Sequence, residues 1–169
     1  YRRATKLAAA AGLRVLIKVD RRAPTAIQRV FYRAGSYDEV NGRTGVAHAL
    51  EHMMFKGTPS HPAGAYSKAV ARMGGTENAS TTVHYTGYYQ QVPVSGLSEI
   101  LRFEADRMAH LTITADEFAR EIKVVREERR LRTDDRPNGL LYEQLMASAF
   151  VASPVRSPTV GWMDDLQAM

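Results

Sequence analysis

Apolar and polar residues alternate in two segments near the start of the chain and in two segments near its middle. Successive side chains of a β-strand point to opposite faces, so this alternation predicts strands. The two later segments are also rich in Thr, Tyr and Val, residues that strands favour. The predicted strands run over residues 13–20, 25–34, 76–80 and 82–92.

Apolar residues recur at helical spacing in most of the rest of the chain. The predicted helices cover residues 46–55, 65–73, 95–109, a segment that begins at a capping box of Thr114 and Glu117, and 137–150. Thr44 and Ser95 are the predicted N-caps of the first and third helices, and Gly57 ends the first. Strands followed by helices without β–α–β alternation predict the α+β class. A chain of 169 residues suits one domain.

The first helix contains the sequence His48-Ala49-Leu50-Glu51-His52. Positions i, i+3 and i+4 of a helix lie on one face, so both imidazoles and the carboxylate point in one direction. Two histidines at this spacing with a glutamate beside them are the donors that a helix offers to zinc with a general base. The order HxxEH is the reverse of the more frequent HExxH.

The surroundings of the motif strengthen this interpretation. Most residues between Val46 and Phe55 are apolar, and a helix that is apolar on most sides is predicted to be buried. Buried ionisable groups are costly unless they are paired or bound to a metal, and a divalent cation would satisfy all three. The alternative is an ordinary helix in which the histidines and the glutamate form salt bridges.

A zinc hydrolase needs a third protein ligand, and the chain has no cysteine. The helix that begins near Thr114 offers Glu121 and Glu128. They are seven residues apart, so both lie on the core-facing side of the helix, with its apolar stripe. Spacing does not separate Glu128 from Glu127, which also flanks that stripe. We expect Glu127, Arg129 and Arg130 to form a solvated, salt-bridged face.

These motifs together resemble the insulinase/pitrilysin family of zinc peptidases, the inverzincins. The chain is most similar to the bacterial members built from two similar halves and to the β subunit of mitochondrial processing peptidase. An HxxEH motif followed by a glutamate about 75 residues later is specific to this family. The resemblance extends over nearly the whole chain, and its matching stretches are Phe31–Ser36, Gly45–Thr58, Gly74–Ala79, Val124–Arg130 and Gly161–Trp162.

The resemblance implies a role for each candidate residue. Glu128 would be the third Zn²⁺ ligand beside His48 and His52, and Glu121 would support the site. Glu51 would be the general base, and its presence resembles a catalytic member rather than an inactive subunit. A peptide or unfolded protein segment would add as a strand beside Asn78 and Ala79. The residues expected to act are therefore Glu51 and Glu121 in catalysis, His48, His52 and Glu128 at the metal, and Asn78 and Ala79 at the substrate.

The resemblance also predicts the architecture. It implies a mixed, largely antiparallel sheet with helices packed on one face. Residues 1–169 would form an incomplete N-terminal zinc-binding domain, and a second homologous half or partner subunit would complete the enzyme. The predicted function is that of a zinc metalloendopeptidase. The alternative is a subunit of the same fold that binds a peptide or partner without cleaving it.

Composition limits the remaining possibilities. The net charge of +5 is compatible with nucleic-acid binding, but the basic residues are dispersed among acidic ones, so we expect no nucleic-acid partner. We also expect no membrane span, because no apolar segment is long enough to cross a bilayer. Similar bacterial proteins are often exported, which predicts the periplasm or cell envelope, with the cytoplasm as the alternative.

Overall fold

The computed structural model describes residues 5–8 and 13–169 of the chain. In that part of the chain the strands are β1 (Thr5–Ala8), β2 (Arg14–Ile17), β3 (Thr25–Tyr32), β4 (Thr76–Thr81) and β5 (Thr86–Pro93). The α-helices are α1 (Val46–Met53), α2 (Ala65–Arg72), α3 (Leu97–His110), α4 (Ala115–Arg129), α5 (Pro137–Ala149) and α6 (Met163–Ala168).

The main sheet has three antiparallel strands in the order β3-β5-β4. Its register places Val30, Tyr88 and Ala79 in one row across the three strands. Strand β4 pairs only with β5 among the described residues, so it forms an edge of the sheet. Strands β1 and β2 form a separate antiparallel pair.

Helices α1, α2 and α3 pack on the same face of the sheet. On that face Val70, Val92 and Ile100 form a buried apolar cluster. Ile27 and Phe31 point to the opposite face, where both are more than half exposed. The predicted α+β class and the helices on one face are confirmed, and every strand pair among the described residues is antiparallel.

A second core holds the helices that carry the HxxEH motif and the acidic candidates. It consists of Ala49 from α1, Ile122 and Val125 from α4, and Leu166 from α6. Helix α1 is buried where it packs on α4 and on strands β4 and β5, which enclose His48, Ala49 and Met53. Val46 and Leu50 are exposed to 47% and 44%, so the expectation of a buried helix fails only on the side that these two residues share.

The N-terminus of α1 is capped differently from the prediction. Gly45, with φ of 87°, is the N-cap residue, and the carboxylate of Glu39 accepts hydrogen bonds from the N–H groups of Gly45 and Ala47. Thr44 is not the cap, because its hydroxyl donates to Asp165 and accepts from the N–H of Trp162. Residues distant in sequence thus fix the start of the helix.

Two glycines allow this junction to close. Gly161 has φ of 92°, and a Cβ atom there would lie 2.6 Å from the carbonyl oxygen of Thr44. A Cβ atom on Gly45 would lie 2.6 Å from the carbonyl oxygen of Val160. Both the left-handed backbone and the close approach of the two chain segments therefore require glycine.

Other differences are local. Ser95 does not cap α3, because it lies in the short 3₁₀ turn 94–96, and Gly96 is the N-cap residue. Thr114 caps α4 as predicted, accepting a hydrogen bond from the N–H of Glu117. Residues 82–85 form the turn between β4 and β5 instead of opening the second strand.

The expectation that Arg129 lies on a solvated face is wrong. Its side chain is 5% exposed and forms two hydrogen bonds to Glu143 of α5, at 2.7 and 3.0 Å. It also donates to the carbonyl oxygen of Gly161. Glu127 and Arg130 do form an exposed pair, as predicted. A buried, bidentate ion pair therefore joins α4, α5 and the segment that closes on α1.

Candidate metal centre

Helices α1 and α4 face each other across a cleft of about 600 Å³. Helix α1 contributes His48, Glu51 and His52 to the cleft, as the helical spacing predicts. Helix α4 contributes Glu121 and Glu128 from the opposite wall. Strand β4 forms a third wall with Asn78, Ala79, Ser80 and Thr81. The cleft is therefore lined by all seven residues to which the family resemblance assigns a role.

Three of these residues present potential metal ligands to one point. One ligand atom each from His48, His52 and Glu128 lies within 4.8 Å of the other two. Nε2 of His48 is 3.6 Å from one carboxylate oxygen of Glu128, and Nε2 of His52 is 3.2 Å from the other. Ligand atoms bound tetrahedrally at about 2.0–2.1 Å from zinc lie about 3.3 Å apart. The donor types and spacings thus fit a zinc ion.

His52 also contacts Glu121 through its other ring nitrogen. Nδ1 lies 2.9 Å from a carboxylate oxygen of Glu121, and the Lys56 ammonium group pairs with that carboxylate. Burial opposes ionisation of Glu121, but the hydrogen bonds from Lys56 and His52 outweigh it and lower the pKa of its carboxyl group. An ionised carboxylate only accepts, so Nδ1 carries a hydrogen, and in the neutral ring Nε2 then has a lone pair that can ligate a metal.

His48 is favoured in its neutral form. It is buried, and burial lowers the pKa of its imidazole although Glu128 opposes the effect. A neutral imidazole retains an unprotonated ring nitrogen, which is the form that binds metal ions. The environment therefore favours the ligating state of His48.

Glu51 is oriented toward strand β4. Its carboxylate accepts a hydrogen bond from the Thr81 hydroxyl at 2.5 Å. Glu51 lines the same cleft as His48 and His52 but is not a member of the group of three potential ligands. The motif thus places a carboxylate beside the candidate metal position and leaves it free for proton transfer.

Asn78 and Ala79 lie on the edge strand β4, at the margin of the cleft. Asn78 is exposed, and its side-chain oxygen accepts a hydrogen bond from the N–H of Ala79. Gly75, just before the strand, packs closely on β5, because a Cβ atom there would lie 2.5 Å from the carbonyl oxygen of Gln91. The cleft therefore adjoins the edge of β4, which pairs with no second strand among the described residues.

Sequence reasoning did not single out Lys56, Thr81 and Arg132, which all line the cleft. Arg132 lies in the π-helical turn Arg130–Asp134, and its guanidinium group is 2.6 Å from the carboxylate of Glu128. Arg132 follows Glu128 by four positions, so helical spacing could have found it. Lys56 lies after the end of α1 and pairs with Glu121 of α4, so it reaches the site only through tertiary packing, as Thr81 does.

A family model described as insulinase, peptidase family M16, matches residues 14–161. The chain belongs to the insulinase family. Zinc protease PqqE of Helicobacter pylori is 42% identical over 138 residues, which is 82% of this chain and 31% of that protein. An uncharacterized zinc protease of Mycobacterium leprae is 34% identical over 94% of this chain and 35% of its own length. The chain thus spans about a third of these relatives.

Solved structures of this family agree with the architecture. A protease from Helicobacter pylori superposes with a TM-score of 0.95 and 37% identity, over 99% of this chain and 40% of that one. Pitrilysin superposes with a TM-score of 0.84 and 25% identity, over 97% of this chain and 18% of that one. An inactive M16 peptidase domain from Pseudomonas fluorescens has the same fold, with a TM-score of 0.83 at 19% identity.

These comparisons show membership of the insulinase family and similarity to proteins that are named zinc proteases. They confirm the resemblance to the insulinase/pitrilysin peptidases that the motifs predict. In the part of the chain that the structure describes, no helix combines the length and apolar character needed to cross a bilayer.

Proposed function

We propose that this chain is the N-terminal, zinc-binding half of a longer metalloendopeptidase that hydrolyses peptides or unfolded protein segments. The observation that carries the proposal is the group formed by His48, His52 and Glu128, with Glu51 beside it in an open cleft. Relatives named as zinc proteases support the choice of metal. The relatives' greater length supports a second half, which would complete the substrate site.

In this proposal His48, His52 and Glu128 hold the ion, and Glu121 fixes the ring of His52. When bound, zinc supplies Lewis acidity that lowers the pKa of water and polarises a carbonyl group. Glu51 takes a proton from the attacking water and later delivers it to the leaving amine. Two ligands and this base come from one helix, which limits their relative motion.

The substrate would bind beside β4 in extended conformation. An edge strand presents unpaired backbone N–H and C=O groups, and an incoming peptide can satisfy them as an additional strand. Asn78 and Ala79 occupy that strand where it borders the cleft. Such backbone pairing accepts many sequences, which suits the unfolded segments proposed as substrates.

The test is zinc-dependent hydrolysis by the complete protein that contains this chain. We expect cleavage of an unstructured, internally quenched fluorescent peptide, loss of cleavage with 1,10-phenanthroline, and recovery on adding zinc. Binding of the peptide without cleavage, in a protein that contains zinc, would instead support a subunit that binds substrate but does not cut it. Cleavage that survives complete zinc removal would contradict the proposal.

A further inference from the structure

The hydroxyl of Thr81 is the only side-chain hydrogen-bond partner of Glu51 among the residues that the structure describes. Thr81 donates this bond at 2.5 Å, and a hydroxyl bond to an ionised carboxylate is stronger than one between neutral groups. Thr81 ends β4, and α1 packs against that strand. A residue of the proposed peptide-binding strand therefore holds the proposed general base.

The neighbours of Thr81 direct its single hydrogen toward Glu51. Thr86 lies opposite Thr81 in the register of β4 and β5, with their hydroxyl oxygens 3.4 Å apart. Thr86 is buried and donates its own hydrogen to the carbonyl oxygen of Ala34 at 3.0 Å. Of the two acceptors open to Thr81, the Glu51 oxygen is much nearer than the Thr86 oxygen.

The residue type suits this task. A β-branched side chain in a strand has a restricted χ1 angle, so the Thr81 hydroxyl is held in one direction. A glutamate side chain has three rotatable bonds and would otherwise sample many positions. Anchoring one carboxylate oxygen leaves the other oxygen of Glu51 available to a water molecule in the cleft.

We propose that Thr81 is a positioning residue that holds the Glu51 carboxylate for proton transfer and couples it to the strand along which peptide would bind. The inference rests on the proposed function, because Glu51 is assigned there as the base. The role proposed for Thr81 differs from the role of Asn78 and Ala79, which would contact the peptide. Loss of the Thr81 hydroxyl should therefore impair turnover more than substrate binding.

The experiment compares Thr81→Val with Thr81→Ser in the complete, zinc-loaded protein, using the quenched peptide. Valine keeps the shape and strand preference of threonine but removes the hydrogen bond to a charged group, which lowers kcat about ten- to a hundred-fold. KM and zinc content should stay within about two-fold. Thr81→Ser should keep kcat within about three-fold of wild type because it retains the hydroxyl.

Thr25→Val is the matched control, because Thr25 is an exposed threonine of β3, on the opposite edge of the three-stranded sheet and outside the cleft. It should leave kcat and KM unchanged. Wild-type kcat in Thr81→Val would overturn the inference. Equal losses in the valine and serine variants would also overturn it, as would a loss of zinc in Thr81→Val, because each indicates a structural role for the residue.

Crystal structures of the wild type and Thr81→Val separate this inference from the proposed function. If the wild type cleaves no peptide, the proposed function fails, but the positioning claim still predicts different Glu51 side chains in the two structures. We expect an ordered carboxylate bonded to Thr81 in the wild type and a displaced or disordered one in the variant. The same Glu51 position in both would overturn the inference.

Discussion

Glu121 accepts a hydrogen bond from Nδ1 of His52 across the contact between α4 and α1, at a distance of 2.9 Å. The opposite nitrogen of the same ring faces Glu128 at 3.2 Å. One carboxylate of α4 thus fixes the tautomer of His52, and a second carboxylate seven residues later lies at the candidate metal position. The orientation of α4 on α1 sets both contacts at once.

Replacing Glu121 with Gln should weaken zinc binding without removing a ligand. The amide has no charge to hold Nδ1–H of His52 and Lys56, so the dissociation constant for zinc should rise about 10- to 100-fold. Competition with a chromogenic chelator measures this constant. Glu127→Gln is the matched control, because Glu127 is exposed and pairs with Arg130. Equal affinities in Glu121→Gln and Glu127→Gln would contradict the role given to Glu121.

Replacing Glu51 with Gln should abolish hydrolysis and preserve zinc. Glutamine has nearly the same shape but cannot accept a proton, so kcat should fall by about 10²- to 10⁴-fold. Steady-state hydrolysis of the quenched peptide by the complete protein, with zinc content measured on the same sample, provides the test. Retained hydrolysis in this variant would remove Glu51 from the role of base.

The buried pair of Arg129 and Glu143 should be important for stability. Arg129→Met leaves the Glu143 carboxylate buried without its partner, so the free energy of unfolding should fall by about 3–5 kcal/mol. Converting both residues, as Arg129→Met with Glu143→Leu, should recover most of the loss. Urea unfolding measures these differences. Arg130→Ala, at an exposed pair, should cost less than about 1 kcal/mol, and a similar small cost for Arg129→Met would contradict this prediction.

Gly161→Ala should disturb the start of α1, the helix that carries His48 and His52. The methyl group would add a clash with the Thr44 carbonyl oxygen to the strain of a positive φ. Gly42 has φ of 85° with open space around it, so Gly42→Ala measures the backbone strain alone, about 1–2 kcal/mol. The clash should make Gly161→Ala more destabilising by about 1–3 kcal/mol. Equal unfolding midpoints for the two variants would show that the backbone at Thr44 and Gly161 can shift to accept the methyl group, which would contradict this prediction.

The sequence predicts the α1 part of the site because His48, Glu51 and His52 lie within five residues of one helix. Local periodicity is enough to bring their side chains together. Choosing between Glu127 and Glu128 required the family resemblance, because both flank the apolar stripe of α4. The structure places Glu128 beside both histidines and leaves Glu127 exposed, a distinction set by how α4 packs on α1.

Two of the wrong expectations, for Thr44 and for Arg129, share one physical cause. Thr44 has the residue type and position of an N-cap. Its hydroxyl is instead hydrogen-bonded to the Asp165 carboxylate and to the Trp162 N–H, both more than 100 residues away in sequence. Arg129 lies in a run of charged residues, but Glu143 provides a buried partner. Both outcomes depend on tertiary contacts that local patterns do not encode.

Zinc content tests the central claim most directly. We would measure it by mass spectrometry on protein purified without chelator, for the wild type, His52→Ala and His110→Ala. His110 is exposed and pairs with Asp106 outside the cleft, so His110→Ala controls for the loss of a histidine. The metal centre predicts one zinc per chain in the wild type and in His110→Ala, and loss of that zinc in His52→Ala. A wild type that takes up no zinc even after reconstitution, or an unchanged zinc content in His52→Ala, would contradict it.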